Sequence, residues 1–257
     1  EYFDTLIWTG NGNSPRTETG LNFQPDWVWH KNRIDSGRSH YLHDSSRGFG
    51  AQKELTSNNN HQEDSDNHLT ENHGYINAAT STGFTIGAGA TNDNYTNRAG
   101  ATYVAWCWKA NGATTTTNDA SSTSIGSIDS VIQANTDAGF SIITYTGTGS
   151  AATVAHGLSA VPHVLIVKKR NAADNWYVYH HENTSDPETD YLVLDTTDAT
   201  ADDTVFGDAV PSTTTFSINN SGTHADGKTF VCYAFTEKQG YSRFGHYIGN
   251  AGEPGGP

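Results

Sequence analysis

The sequence predicts an all-β protein made of two tandem antiparallel β-sandwich repeats with jelly-roll or Greek-key wiring. Three observations carry this. Most apolar runs are four to eight residues long and are bounded by Gly, Asn, Asp or Pro, which is strand punctuation. No stretch longer than 11 residues keeps a 3.6-residue apolar period, so no substantial helix is expected. The chain also matches itself at a long, slowly shrinking offset.

In that self-match, Trp8-Thr9-Gly10-Asn11-Gly12 aligns with Tyr145-Thr146-Gly147-Thr148-Gly149 at an offset of 137. The same offset pairs Pro25 with Pro162, Lys31 with Lys168 and Arg33 with Arg170. Phe84-Thr85-Ile86 then matches Phe216-Ser217-Ile218 at 132, and Thr102 to Trp106 matches Thr229 to Tyr233 at 127. Steps of five place deletions in loops, which absorb them. The organisation expected is repeat A over 1–110, a Thr/Ser-rich surface linker over 111–124, repeat B over 125–240, and a tail over 241–257. Ile125, Ile128, Val131 and Ile132 suggest a lead-in strand for B. In the tail, Tyr241, Tyr247, Gly249 and Asn250 match Tyr2, Trp8, Gly10 and Asn11, so it carries the first strand of a third copy.

Pro25 and Pro162 each precede a strand, where a missing amide donor is tolerated. Residues 103–108 and 230–235 are apolar on both faces and read as central strands. One face carries Val104, Trp106 and Trp108, matched by Val231, Tyr233 and Phe235. The other carries Tyr103, Ala105 and Cys107, matched by Phe230, Cys232 and Ala234. The bulkier face is expected to fill the space between the two sheets of each sandwich, about 10 Å apart.

Composition narrows the function classes. There are 14 basic and 28 acidic residues, for a net charge of −14. That surface repels phosphate backbones and disfavours nucleic acid. No apolar run approaches the roughly 18 residues of a membrane span. The first 110 residues carry −4 and the remainder −10, so A of one copy could meet B of another by charge. Cys107 and Cys232 do not align with each other and read as buried free thiols.

Taken together, Trp/Tyr-Thr-Gly-x-Gly, Gly-Leu-x-x-x-Pro, a strand ending in Lys and Arg, and Thr-Tyr-Val-Ala-Trp-Cys-Trp-Lys form a distinctive set. The set resembles the repeat module of large structural, tail-fibre-like proteins of marine and cyanobacterial phages. That resemblance covers repeats A and B. It implies a lectin-like fold and a virion or extracellular appendage, and it supplies no catalytic residues.

The chemistry-bearing candidates are few. There is no Gly-x-Ser-x-Gly elbow and no P-loop. Gly10-Asn11-Gly12 and Gly147-Thr148-Gly149 open no helix and read as tight turns. His40 and His43 are expected on opposite strand faces, as are His180 and His181, which is poor for shared metal ligation. Acids gather in loops, Glu63, Asp64 and Asp66 in A and Asp195, Asp198, Asp202 and Asp203 in B, with Leu55 aligned to Leu194. Oxygen-rich loops of this kind could take calcium, but EF-hand spacing is missing, so no cofactor and no metal site are expected. Trp176, Tyr177 and Tyr179 could stack on sugar rings if exposed, although core packing is the simpler use. Asn94, Asn183 and Asn219 begin glycosylation acceptor patterns.

The function expected is non-enzymatic: a structural protomer of a phage fibre or extracellular filament whose partners are copies of itself. The tail strand would pair with a neighbouring subunit head to tail through Tyr241, Phe244, Tyr247 and Ile248. The alternative is a carbohydrate-binding receptor-recognition module for cell-surface glycans.

Overall fold

The computed structural model describes residues 1–63, 73–87, 89, 95–247 and 249. Its first half runs β1 (Phe3–Thr9), β2 (Arg16–Thr19), β3 (Trp27–Asn32), β4 (His40–Asp44), β5 (Leu55–Thr56), β6 (Tyr75–Thr80), β7 (Gly83–Gly87) and β8 (Thr102–Trp108). Its second half runs β9 (Thr116–Asn118), β10 (Ser130–Asn135), β11 (Phe140–Thr146), β12 (Ala152–Ala155), β13 (Val164–Lys169), β14 (Trp176–His180), β15 (Asp190–Val193), β16 (Ala201–Asp202), β17 (Thr215–Ile218) and β18 (Thr229–Phe235). The protein is predominantly β, and these strands pair antiparallel in several sheets. The orders are β1-β8-β3-β4-β5, β2-β7-β6, β16-β15-β14-β13-β18-β11-β10-β9 and β12-β17. Helix among the described residues is limited to short turns such as Ala120–Thr123 and Ser221–His224, and no helix there is long and apolar enough to cross a membrane.

The two halves use one register. Trp8 opposes Tyr103 and Tyr145 opposes Phe230, which are aligned pairs. Val28 opposes Cys107 as Leu165 opposes Ala234, whereas Glu18 opposite Phe84 and Val154 opposite Phe216 are one residue apart in the 137 offset. Trp8 stacks on Tyr103 at 5.2 Å with Phe84 edge-on, and Tyr145 stacks on Phe230 at 5.2 Å with Phe216 edge-on. The polar tips are satisfied at aligned carbonyls. Trp8 Nε1 donates to Thr96 O at 2.9 Å, and Tyr145 Oη donates to Thr223 O at 2.8 Å. The Gly-x-Gly element follows from close packing. A Cβ at Gly10 would lie 2.2 Å from Arg98 O, and one at Gly147 would lie 2.3 Å from Ala225 O.

One expectation about the faces is reversed. Tyr103, Ala105 and Cys107 line the core shared by the first half's two sheets, and Phe230, Cys232 and Ala234 line the core of the second. The bulkier face turns outward from each half, and Trp108, Val231, Tyr233 and Phe235 reach the other half, whereas Val104 and Trp106 stand outside that contact. A third core joins the halves, with Trp27, Leu42 and Leu55 from one side and Phe140, Ile142, Trp176, Val231 and Tyr233 from the other. Trp27 lies at its centre, stacked on Tyr233 at 4.2 Å and on Phe140 at 5.7 Å. The small side chains Ala105, Cys107, Cys232 and Ala234 leave room inside each half for rings arriving from facing strands, such as Phe84 and Phe216.

Residues 111–124, expected as a linker, are part of this body. Ala110, Gly112 and Ala113 donate their amides to the buried Asp26 carboxylate at 2.8, 2.9 and 2.7 Å. Thr116–Asn118 then adds to the second half's large sheet as β9, and Asp119 caps the one-turn helix behind it. The lead-in strand is β10, which takes in Val131 and Ile132, whereas Ile125 and Ile128 lie ahead of it and Ile125 is exposed. Leu55 corresponds to Leu192 rather than Leu194, because Leu55 opposes Leu42 and Leu192 opposes Val178.

Truncating Trp27 to Ala is expected to cost about 3–5 kcal/mol, the range for large aromatic deletions in a core. Because the side chain belongs to the joint, both halves should lose stability together. Urea unfolding followed by far-UV circular dichroism and by tryptophan fluorescence should shift as one transition. A shift confined to one of two transitions would contradict a shared core.

Candidate functional site

Around the joint sits a buried polar clamp. Asp44 and Arg47 are fully buried and paired, Arg47 Nε donating to Asp44 Oδ2. Tyr233 Oη donates to the same carboxylate oxygen at 2.7 Å, which ties the halves together. Arg47 Nη1 donates to Lys53 O at 2.7 Å and lies 3.5 Å from Glu63 Oε1. Glu63 Oε2 accepts from Arg170 Nε at 2.6 Å. Trp176 Nε1 donates to Thr56 O at 2.8 Å. Lys168 is buried, and burial lowers its ammonium pKa to about 8, yet its Nζ donates to Asn60 O at 3.1 Å. The aligned Lys31 makes the same kind of contact, to Asp35 O at 3.2 Å. These strand-end lysines are loop fasteners.

The joint also holds an apolar cavity of about 330 Å³. Trp29, Trp108, Phe140, Phe235, Tyr241 and Phe244 are among the residues that line it. Val164, another lining residue, occupies in β13 the register place that Trp27 occupies in β3. A valine stands where the aligned strand has an indole, and space is left. The tail packs at this cavity. Phe244 contacts the Phe235 ring at 5.7 Å, and Tyr241 meets Tyr2 edge-on at 6.2 Å. Phe244 N donates to Glu237 Oε1 at 2.9 Å, and His181 Nε2 lies 3.0 Å from Phe244 O. His246 Nδ1 lies 3.3 Å from Glu182 Oε2.

Residues 241–247 therefore rest on their own chain and form no strand there, apart from the isolated Lys238–Ser242 bridge. Of the four assembly anchors read from the sequence, Phe244 is half-buried on Phe235, Tyr241 is half-exposed, and Tyr247 is 78 % exposed. Ile248 lies outside the described residues. The sugar-stacking set is not presented to solvent. Trp176 and Tyr179 are buried, and Tyr177 is half-buried with its hydroxyl donating to Asp174 Oδ1 at 3.2 Å. The packing of Trp176 against the other half and of Tyr179 on Phe206 consumes those rings.

The titratable candidates resolve in the same way. His40 contacts Trp29 on one face of β4, while His43 stacks on His30 at 5.9 Å on the other. Both His30 and His43 are buried, and burial holds His43 far below the usual histidine range and His30 at about 3. Among the described residues no group of three or more His, Cys, Asp or Glu is placed to hold a metal. Glu63 is taken by Arg170, while Asp64 and Asp66 lie outside the described residues. Asp195 accepts from Trp176 N at 2.8 Å, Asp198 accepts from Thr196, and Asp203 caps the turn at 204–206. Asp202 is exposed in the short strand β16. Asn183 and Asn219 are half-buried, and Asn94 lies outside the described residues. Cys107 and Cys232 are buried free thiols, and burial pushes both pKa values up.

Two predictions follow from these groups. Replacing Arg47 by Met strands the buried Asp44 carboxylate and should cost about 3–5 kcal/mol. The double variant Asp44→Leu with Arg47→Met should recover much of that in urea unfolding. The second concerns acid. An unfolded histidine binds a proton near pH 6.5, whereas His30 in the fold does so only near pH 3. Its contribution is complete above pH 6.5 and is lost as pH falls through that window, at up to about 1.4 kcal/mol per pH unit. The drop in urea midpoint from pH 7 to pH 5 should be smaller in His30→Leu than in the parent, and an equal drop would refute the assignment.

The chain matches no curated protein and no solved structure. A family model described as a domain of unknown function (DUF7483) matches residues 1–256, and the chain belongs to that family.

Proposed function

We propose that this chain is a non-enzymatic structural protomer of a fibre or extracellular filament, virion-borne or secreted, that assembles head to tail through its C-terminal segment. In this reading the halves are tandem copies of one β-sandwich. Their common ladder register supports it, as do the separate cores shared by the sheets of each half. So does the wiring, in which β3, β4 and β5 form a meander and β8 returns beside β3, a Greek-key order repeated by β13, β14, β15 and β18. The β3-β4 hairpin stays within one sheet, which departs from full jelly-roll wiring.

One observation carries the assembly reading. The first-strand sequence that forms β1 and β11 occurs a third time from Tyr241, and there, over its described residues, it lies outside every sheet. Its backbone bonds are local ones, to Lys238, Glu237 and His181, and pairing with another chain would exchange them for a ladder. A head-to-tail contact need not close, so it can extend into a fibre. The glycan-binding alternative loses the rings named for it, since Trp176 and Tyr179 are buried.

Electron microscopy of the full chain beside one ending at Gly240 tests this. Filaments are expected from the full chain and not from the shortened one. Filaments from both, or discrete particles from both, would overturn the reading.

A further inference from the structure

β1 and β11 hold aligned places, but their outer edges differ. β11 has β18 on one side and β10 on the other. β1 has β8 on one side and, among the described residues, no strand on the other. The side chains record the difference. Ser141, Ile142 and Ile143 are fully buried, whereas at the aligned places Asp4 and Leu6 are half-exposed and Thr5 is exposed. Ile7 is 70 % exposed. The gap reaches the core side as well. A Cβ on Gly157 would lie 2.7 Å from Ile132 of β10, while one on the aligned Gly20 would meet only Leu6, at 3.2 Å.

The open edge can receive a strand. Gly10 N donates to Ala101 O at 2.7 Å and Lys109 N donates to Tyr2 O at 2.8 Å, so the even-numbered residues of β1 bond to β8. By the alternation of an antiparallel ladder, the amides and carbonyls of Phe3, Thr5, Ile7 and Thr9 face outward. Thr5 N is taken by its neighbour Asp4, at 2.7 Å, and Thr9 O by Arg16, at 2.6 Å. Ile7 offers both groups.

We propose that this edge of β1 seats residues 241–247 of a second copy of the chain, running antiparallel to β1 in the place β10 holds beside β11. This rests on the assembly reading above and names the surface that receives the tail. With Phe244 opposite Leu6, an apolar ring takes the core-side place that Ile132 takes opposite Ile143. The same register sets His246 opposite Asp4, Tyr247 opposite Phe3 and Arg243 opposite Ile7. Charge agrees. Residues 1–9 hold Glu1 and Asp4 and no cation, while 241–247 hold Arg243 and His246 and no acid. Seating exchanges the tail's contacts with Phe235, Glu237 and His181 of its own chain for a ladder on the next.

Cross-linking tests the contact directly. A chain carrying Asp4→Cys is mixed with one carrying His246→Cys under mild oxidation, both native thiols being buried. A mixed disulfide dimer is the expected product. Its absence, or an equal yield of dimers from the Asp4→Cys chain alone, which would mean β1 pairing with β1, overturns the proposal. In parallel, Ile7→Lys in the full chain should raise the concentration needed for filaments by about tenfold or more, the factor that roughly 1.4 kcal/mol of lost pairing carries. An unchanged melting temperature would show that the variant folds. Filaments that vanish on truncation at Gly240 but survive Ile7→Lys without a mixed dimer would leave the assembly reading standing and sink this seat.

Discussion

The fold depends on burying two bulky sheet faces against each other around Trp27. Each half fills its own core with the smaller face of its central strand. That leaves aromatic surface on the outside of both β8 and β18, too much apolar area for either half to expose alone. Face-to-face packing of the two sheets covers much of it, with Trp27 stacked on Tyr233 as the keystone, and leaves Trp106 and Trp108 half-exposed. The polar clamp is a consequence. Once the faces meet, the Tyr233 hydroxyl and the Asp44 carboxylate are enclosed, and each satisfies the other. Asp26 plays the same part for the backbone that crosses between the halves, accepting amides from Ala110, Gly112 and Ala113. The crossing is short and ordered because that buried carboxylate needs those donors as much as the amides need an acceptor.

Much of each half was legible because its signals are local. Strand punctuation, the Pro25 and Pro162 starts and the aligned aromatic sets all concern residues within one half, and the ladders follow them. The relation between halves was not legible. A central strand that is apolar on both faces declares burial on both, and alternation alone cannot say whether the covering layer is its own second sheet or another unit. Bulk suggested one answer, and the space filled by Phe84 and Phe216 gave the other. For Trp176 the core use was legible, but not its cover, which is Thr56 and Leu55 of the other half. The 111–124 segment did carry signals. Asp119 before Ala-Ser-Ser is an N-cap, and Thr116-Thr117 suits an edge strand. A low-complexity composition concealed both.

The candidate site was legible as sequence and not as conformation. Tyr241 and Tyr247 repeat the spacing of Tyr2 and Trp8, but strand formation is decided by what lies beside the backbone. β1 is a strand because β8 supplies a ladder along one edge and Trp8 drops into a core between Tyr103 and Phe84. The tail has neither. It has a ring contact with Phe235 and bonds to Glu237 and His181, which hold a turn and a short coil. The same residues therefore carry one local preference with two outcomes, set by whether a sheet edge is within reach.

The proposed pairing turns on an asymmetry between the halves. The halves share registers at their central strands, but β10 and β9 belong to the second half alone and close its sheet where, among the described residues, the first half's stays open. Exposed edge strands are normally blunted, because unpaired amides and apolar side chains invite pairing with other chains. β1 is blunted only in part. Asp4 covers one amide and Arg16 one carbonyl, while between them Ile7 offers a free backbone pair and an exposed side chain. A chain under pressure only to stay monomeric would gain by placing a lysine or proline there. An isoleucine at the middle of an open edge, in a chain that also carries a strand sequence without a ladder, is the combination that the proposed strand addition requires.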